Sequence, residues 1–166
     1  NVNGGSKLRT GSKTVTYGKT YGTLPTPKRA GYTFSGWYTA KTGGTKITAD
    51  SAVNITRDTM LYAQWKKVSK PAKMKKPTVK NSAKKTMKIT FKKVKGANGY
   101  QISYSTSKKF KKGTVKTVTA AKSPKTIKKL KKGKTYYVKV CAYKKDSAGK
   151  KVTGKYSSVV KVKISK

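Results

Sequence analysis

The 166-residue chain contains no histidine and no glutamate, and its only acidic side chains are Asp50, Asp58 and Asp146. Without an imidazole it has no Ser-His-Asp or Cys-His arrangement, and three scattered Asp residues give little material for a paired-carboxylate mechanism. A single cysteine, Cys141, excludes an internal disulfide and a thiolate metal cluster. We therefore expect no enzyme activity, no metal and no cofactor from this chain alone.

Long apolar runs are also missing. No stretch approaches the roughly 18 residues that span a bilayer, so we expect no transmembrane segment. Aliphatic side chains are so few for a chain of this charge that composition alone would indicate disorder. However, 11 Tyr, 2 Trp and 3 Met supply large side chains, and 15 Gly and 5 Pro are placed where turns are expected. A folded, mainly β chain is therefore predicted.

Positive charge is abundant and unevenly distributed. The chain carries 43 Lys+Arg and a formal charge of +40. Residues 1–69 hold 8 Lys and 3 Arg against 2 Asp, whereas residues 70–166 hold 32 Lys against one Asp. This shift predicts two domains, 1–67 and 75–166, joined by a polar linker at 68–74 that contains Pro71.

The second domain shows the alternation of apolar and polar residues that is typical of half-buried strands. No segment shows a sustained helical period with caps, and turn-forming residues separate the alternating runs. Many short strands in a domain of this size indicate an antiparallel β-sandwich. The apolar positions are Met87, Ile89 and Phe91; Tyr100, Ile102 and Tyr104; Tyr136, Val138, Val140 and Ala142; and Val160, Val162 and Ile164.

Within this domain, the runs KKVKGANGYQI at 92–102 and LKKGKTY at 130–136 carry a resemblance to a known family. Residues 85–163 resemble the lysine-rich fibronectin type III domains of bacterial surface proteins. The resemblance implies an Ig-like sandwich in which Leu130 is structural and Tyr136 forms a tyrosine corner. Phe91 stands where the family often has Trp, and it is expected to fill the core.

The first domain contains YGKTYGTLP at 17–25, GYTFSGWY at 31–38 and TMLYAQW at 59–65. These runs resemble one Listeria–Bacteroides repeat, the B-repeat module of internalin-type surface proteins. The resemblance implies a small β-grasp-like module with at most a short helical turn near 31–37. Residues 1–5 would end the family's first strand, whose opening residues are missing, so a monomeric piece of a longer protein is expected. The structural residues implied are Tyr32, Phe34, Gly36, Trp37, Tyr62 and Trp65.

The aromatic residues of the first domain have two interpretations. They could form a platform for a sugar ring, or they could fill a core to which few Leu and Ile contribute. A module this small needs bulky rings in its core, so the core interpretation is favoured. Cys141 alternates with inward-facing valines and is expected to be an incidental surface thiol.

The lysines likewise have two interpretations. They are a solvated surface, or they form a site for a polyanion such as teichoic acid, sulfated glycan, nucleic acid or anionic membrane. Sequence-specific nucleic-acid recognition is not expected, because only three Arg accompany the lysines and no helix is predicted. The candidate contacts are Lys108, Lys109, Lys111, Lys112, Lys128, Lys129, Lys131, Lys132, Lys134, Lys144, Lys145, Lys150 and Lys151.

Taken together, the two resemblances imply non-enzymatic, extracellular or cell-surface bacterial modules that act in adhesion or as a spacer or stalk. Their protein or glycan receptor is unknown. The charge leaves a polyanion-binding module open as an alternative. A further alternative is a set of accessory modules of a large secreted hydrolase whose catalytic domain lies outside residues 1–166.

Overall fold

The computed structural model describes residues 1–165 and consists of eleven β-strands, with no helix in that range. It follows that the described part of the chain offers no apolar helix with the length to cross a membrane. The chain divides into two compact units. The first unit comprises Asn1–Val68 and the short segment Lys145–Lys150, and the second comprises Ser69–Lys144 and the chain from Lys151 onward.

The first unit is built on a three-stranded antiparallel sheet in the order β2-β1-β3. Strand β1 spans Tyr32–Tyr38, β2 spans Lys46–Ile47 and β3 spans Tyr62–Lys67. Aromatic residues are frequent in β1, as is usual for strands that pack one face against a core. Residues 32–37, where at most a short helical turn was expected, are therefore part of a strand. A bulge interrupts the β1–β3 pairing between Phe34 and Gly36.

The first residues of the chain run beside β3. The Asn1 nitrogen donates to the Leu61 carbonyl at 2.7 Å, and the Ala63 nitrogen donates to the Asn1 carbonyl at 2.9 Å. Bonds from one residue to the two neighbours of Tyr62 form the pattern of a parallel strand pair. The Asn3 side chain adds a bond to the Ala63 carbonyl at 3.1 Å. The edge of β3 is thus partly covered by backbone from the start of the chain.

The second unit is an antiparallel β-sandwich. One sheet has the order β4-β5-β8, with β4 at Thr78–Ala83, β5 at Thr86–Thr90 and β8 at Lys125–Ile127. The other has the order β10-β9-β6-β7, and β11 also pairs with β9. Its bounds are Gly99–Ser105 for β6, Val115–Ala120 for β7, Thr135–Lys145 for β9, Lys151–Thr153 for β10 and Val160–Lys163 for β11.

The core of the second unit lies between these two sheets. Alternate residues of β5, β6 and β9 point inward, because successive side chains of a strand face opposite sides of its sheet. Phe91 and Tyr100 pack ring against ring with centroids 4.6 Å apart. The buried residues include Met87, Ile89, Phe91, Tyr100, Ile102, Tyr104, Leu130, Tyr136, Val138, Val140, Ala142, Val162 and Ile164.

Residues 69–74, which the sequence analysis assigns to a linker, pack as part of the second unit. Met74 is 3% exposed and belongs to its core, and Pro71 is buried. The Pro71 carbonyl passes so close to Gly154 that a Cβ there would lie 2.5 Å from the oxygen. Only glycine allows this approach. Pro71 and Met74 thus both pack within the second unit.

Candidate binding surface

Two of the predicted lysine clusters lie at one end of the second unit. Ser105, the last residue of β6, pairs with Tyr137 near the start of β9, so the loop after β6 and the loop before β9 share that end. The Leu130 nitrogen donates to the Lys85 carbonyl at 2.9 Å, which adds the β4–β5 turn. We call residues 84–85, 106–114 and 128–134 the three-loop end. Its eleven lysines are all exposed: Lys84, Lys85, Lys108, Lys109, Lys111, Lys112, Lys128, Lys129, Lys131, Lys132 and Lys134.

The loops of this end are tied to the sandwich by hydrogen bonds. The Ser105 and Thr114 hydroxyls lie 2.7 Å apart, and the Ser107 nitrogen donates to the Ser105 hydroxyl at 2.9 Å. On the neighbouring loop, the Gly133 nitrogen donates to the Ile164 carbonyl at 2.7 Å. Lysines on such loops project from a defined backbone, so the charge is displayed in a fixed arrangement rather than on a tether.

The remaining predicted lysines, Lys144, Lys145, Lys150 and Lys151, lie on the β9–β10 hairpin, at the other end of β9 from Thr135. The Lys144 ammonium donates to the Ser69 hydroxyl at 2.9 Å. The Lys151 ammonium lies 4.8 Å from the centre of the Tyr143 ring, a cation–π distance. The structure therefore separates these four lysines from the other nine predicted ones.

Acidic side chains are distributed very differently. Asp50, Asp58 and Asp146 all belong to the first unit. The second unit consequently has no side-chain carboxylate of its own that could pair with its lysines. Solvent and dissolved ions screen its positive potential, which at physiological salt extends over about 8–10 Å.

The outward face of the sheet that contains β9 shows that one prediction, the exposure of Cys141, is wrong. Cys141 was expected to be exposed, but its exposure is 0%. The ring of Tyr156 lies over this face, with its hydroxyl 2.8 Å from the Gln101 amide nitrogen and 3.1 Å from the Ser103 hydroxyl. Burial raises the pKa of the Cys141 thiol above its ordinary value of 9.0. A buried, protonated thiol is unreactive, so Cys141 is a packing residue.

The same face holds a lysine between two aromatic rings. The Lys139 ammonium lies 4.1 Å from the centre of the Phe110 ring and 4.8 Å from that of Tyr156. Phe110 belongs to the loop after β6, so this contact fastens one loop of the three-loop end onto the sheet. Lys139 is for that reason a structural cation and less available to a ligand than the loop lysines.

Phe34, Trp37 and Trp65 of the first unit form a packed aromatic cluster. Trp37 is buried, and its indole nitrogen donates to the Pro25 carbonyl at 2.8 Å. The Phe34 ring meets Trp37 at 71° and Trp65 at 61°, both edge-on arrangements. Arg29 stacks on Tyr32 at 4.1 Å. These crossed rings do not present the coplanar faces on which a sugar ring would stack. The other two structural candidates, Gly36 and Tyr62, lie in β1 and β3 beside this cluster.

The first unit is similar to a known family of repeat domains. Residues 1–64 match the family model of the Listeria-Bacteroides repeat domain. No curated protein matches the chain. Repeat domains of this kind are typical of extracellular bacterial proteins, and they are typically non-catalytic.

Solved structures similar to the chain are fibronectin type III domains. The sixth such domain of human fibronectin type III domain containing protein 3 is 19% identical, with a TM-score of 0.45 over 60% of this chain and 91% of that one. The FN5 domain of Drosophila Lar is 15% identical, with a TM-score of 0.46 over 58% and 98%. An Fn3-like protein from Clostridium thermocellum is 25% identical, with a TM-score of 0.44 over 56% and 92%.

The second unit has the internal features of a fibronectin type III sandwich. Its three-stranded sheet faces a larger sheet in which β9 is central. The Tyr136 ring is buried, and its hydroxyl accepts a hydrogen bond from the Lys131 nitrogen at 3.1 Å, which is the geometry of a tyrosine corner. Tyr100, which the sequence predicts only as an inward-facing ring, behaves similarly, because its hydroxyl accepts a hydrogen bond from the Val94 nitrogen at 2.9 Å.

Over residues 1–165, His, Cys, Asp and Glu side chains do not assemble into a group of three or more that could hold a metal ion.

Proposed function

We propose that this chain supplies non-enzymatic modules of a bacterial cell-surface or secreted protein, acting in adhesion or as a spacer. The observation that carries the proposal is the match of residues 1–64 to an extracellular repeat domain, followed in the same chain by a fibronectin type III sandwich. In this proposal the repeat module covers residues 1–67 and the fibronectin type III domain begins near residue 75, with 68–74 joining them.

The physical basis is that each unit holds its own shape. The second unit has a continuous core between two hydrogen-bonded sheets, and the first has a sheet braced by an aromatic cluster. Among the described residues, no buried side-chain nitrogen or oxygen lacks a hydrogen-bond partner. Units of this kind can project other domains or present a binding surface without supplying chemistry themselves.

Location is the first test. Antibodies raised against the purified chain should label intact cells of the source bacterium, or the parent protein should be recovered from the culture medium. Recovery only from the cytoplasm would contradict the proposal.

Adhesion and spacing can then be separated. Beads coated with the folded chain are washed over host-cell and bacterial surfaces. The control is the Leu130→Asp variant, whose net charge is one unit lower and whose core is disrupted. Retention that requires the folded chain supports adhesion. If the beads are not retained, the spacer role is tested with a reporter domain attached beyond this chain on a bacterial surface. Deleting residues 1–166 should make the reporter less accessible to an antibody. Unchanged accessibility would contradict a spacer role.

A second candidate function, polyanion binding, is favoured by the three-loop end. Eleven exposed lysines lie on three adjacent loops of a unit without carboxylate side chains. We expect micromolar or tighter binding to anionic polymers, with an affinity that falls steeply as salt rises, because each contact releases condensed counterions. Absence of binding at about 0.15 M salt and about 0.1 mM protein would reject it.

The location of that binding has a matched control. Replacing Lys108, Lys109, Lys131 and Lys132 by Gln should weaken binding more than replacing Lys75, Lys92, Lys122 and Lys161, which removes the same charge from elsewhere on the unit. Equal weakening by both sets would show that net charge, and not the three-loop end, is responsible.

A further inference from the structure

A cavity of about 380 Å³ lies on the outer face of the β4-β5-β8 sheet. Val79, Met87 and Ile89 of this sheet face the core, so the residues between them face outward. We call the cavity the β4–β5 groove. Its lining residues on this face are Thr78, Lys80, Ser82, Lys88 and Thr90, and Asn81, which pairs with the core residue Met87, also borders it.

Strand register brings two lysines together in this groove. Lys80 pairs directly with Lys88, and Thr78 pairs directly with Thr90. Directly opposed residues of an antiparallel pair have Cβ atoms about 4.5–5.5 Å apart, and like charges at such positions are mutually destabilising. The next residue across from Lys88 is Thr126, which is uncharged. Both lysines are exposed, and the second unit has no carboxylate side chain that could pair with either, so solvent, dissolved ions or a bound anion must offset the repulsion.

The other lining groups fit an oxygen-rich anion. Hydroxyls of Thr78, Ser82 and Thr90 can donate to phosphoryl oxygens or bond to the hydroxyls of a polyol. The lining includes no aromatic ring and no arginine. Base stacking, on which binding of single-stranded nucleic acid depends, is therefore not available there. A lysine pair binds phosphate as point charges without demanding a planar partner.

The end of β4 beside the groove is braced by the Asn81 side chain. Its amide nitrogen donates to the Ala83 carbonyl at 2.9 Å and to the Thr86 carbonyl at 2.7 Å. Its amide oxygen accepts from the Ser165 backbone nitrogen at 3.0 Å. These bonds connect β4 to the turn after it and to the chain beyond β11. The lysine pair therefore stands on a braced surface, which lowers the ordering needed when a ligand binds.

We propose that the β4–β5 groove binds a phosphodiester group of a linear polyol-phosphate polymer, held between the ammonium groups of Lys80 and Lys88. At its Ser82 end the groove leads to Lys84 and Lys85 of the three-loop end. Further phosphates of the same polymer contact that end. The inference rests on the polyanion-binding function proposed above and adds to it the class of polymer and the seat of one phosphate.

The test uses the full chain and three probes: poly(glycerol phosphate), heparin as a sulfated glycan, and an oligothymidylate of similar charge. Dissociation constants are measured at several salt concentrations for the unaltered chain and for Lys80→Gln/Lys88→Gln. The matched control is Lys116→Gln/Lys161→Gln, which removes two exposed lysines from strands of the other sheet.

We expect poly(glycerol phosphate) affinity to fall about tenfold or more in the groove variant, and only about twofold in the control. The negative slope of log affinity against log salt should become shallower by about 1 to 2, since each lost phosphate contact reduces the magnitude of the slope by about 1. Equal losses in the two variants would overturn the groove while leaving polyanion binding intact. Binding to none of the three probes would reject the polyanion function itself. Larger groove-dependent losses with heparin or oligothymidylate would overturn the choice of polymer.

Inorganic phosphate provides an independent measurement. In the unaltered chain, added phosphate should shift the backbone amide resonances of Thr78 to Ser82 and Lys88 to Thr90 more than chloride of equal ionic strength does. It should also raise the midpoint of thermal unfolding. Lys88→Gln should raise that midpoint in the absence of phosphate, because the lysine repulsion is gone, and should abolish the phosphate-specific increment. Identical shifts with chloride would contradict the phosphate site, regardless of the dissociation constants measured with the polymers.

Discussion

Tyr136 shows how one side chain serves both the core and a charged loop. Its ring packs at 6.2 Å from that of Tyr104 inside the sandwich, while its hydroxyl reaches out to the Lys131 backbone. Burial, together with the neighbouring Tyr136, raises the pKa of Tyr104 above its ordinary value of 10.0. The Tyr104 phenol is therefore neutral at physiological pH.

Replacing Tyr136 by Phe tests this corner. The ring remains but the Lys131 nitrogen loses its acceptor, so we expect the free energy of unfolding to fall by about 0.5–1.5 kcal/mol. Urea denaturation measures the change. Tyr137→Phe, on the opposite face of the same strand, is the control and should change stability less. A larger effect from Tyr137 would contradict the role given to Tyr136.

The burial of Cys141 predicts its chemistry. In the native chain its thiol should react with an uncharged alkylating reagent far more slowly than a free cysteine does, because it is both covered and protonated. Reaction should become fast in denaturant. Tyr156→Ala removes the ring over this face and should increase the native rate. If the native rate already equals that of the denatured chain, the assignment of Cys141 as buried is wrong.

At the scale of the element, alternation in the sequence predicts β5, β6 and β9 well, because each buries one face between the sheets. The alternation does not predict which residues of their other face are buried. Cys141 and Tyr143 are buried by contacts with residues distant in sequence, such as Tyr156, and no local pattern indicates those contacts. Strand β4 offers only Val79 as an apolar signal, so the register that opposes Lys80 to Lys88 becomes visible only once its partner strand is in place.

The three-loop end is likewise only partly predictable from the sequence. Runs of lysine in the sequence mark the loops at 108–112 and 128–134 individually. Their union at one end, and the addition of Lys84 and Lys85, depend on the antiparallel pairing of β6 with β9 and on the bond from Leu130 to Lys85. Sequence therefore identifies the type of site, and topology decides which lysines share it.

The turn Lys145–Lys150, part of the first unit, is organised by a carboxylate. Asp146 accepts backbone hydrogen bonds from Gly31 at 2.7 Å, from Lys150 at 2.8 Å and from Ala148 at 2.9 Å. These donors, with Gly31 first and with help from the charge of Lys150, hold the pKa of Asp146 below its ordinary value of 3.8. The ionised form is thus favoured in the folded chain.

This predicts a specific acid dependence. The contribution of Asp146 to stability is fully present above pH 3.8 and is lost as pH falls through the lower pKa of the folded state. Urea denaturation between about pH 5 and about pH 2 should show the loss, and Asp146→Asn should remove that part of the pH dependence. Direct titration of the carboxyl by NMR checks the direction. A pKa above the ordinary value would contradict the hydrogen bonds described.

For the whole molecule, a charge of +40 makes self-repulsion the dominant electrostatic feature. Raising salt from about 0.01 M to about 0.15 M shortens the Debye length from about 30 Å to about 8 Å. We therefore expect the midpoint of thermal unfolding to rise over this range, as measured by circular dichroism in sodium chloride. The midpoint should rise further in phosphate at equal ionic strength. A midpoint that falls with added chloride would contradict this account.

The segregation of all three Asp into the first unit has one more consequence. The second unit contains no histidine and no side-chain carboxylate, and burial raises the pKa of the Cys141 thiol and of the Tyr104 phenol. It therefore lacks the types of side chain whose charge ordinarily changes between about pH 4 and about pH 8. The attraction of the second unit to an anionic surface is consequently insensitive to acidification over this range. Only a change in ionic strength, or in the ligand itself, weakens the binding.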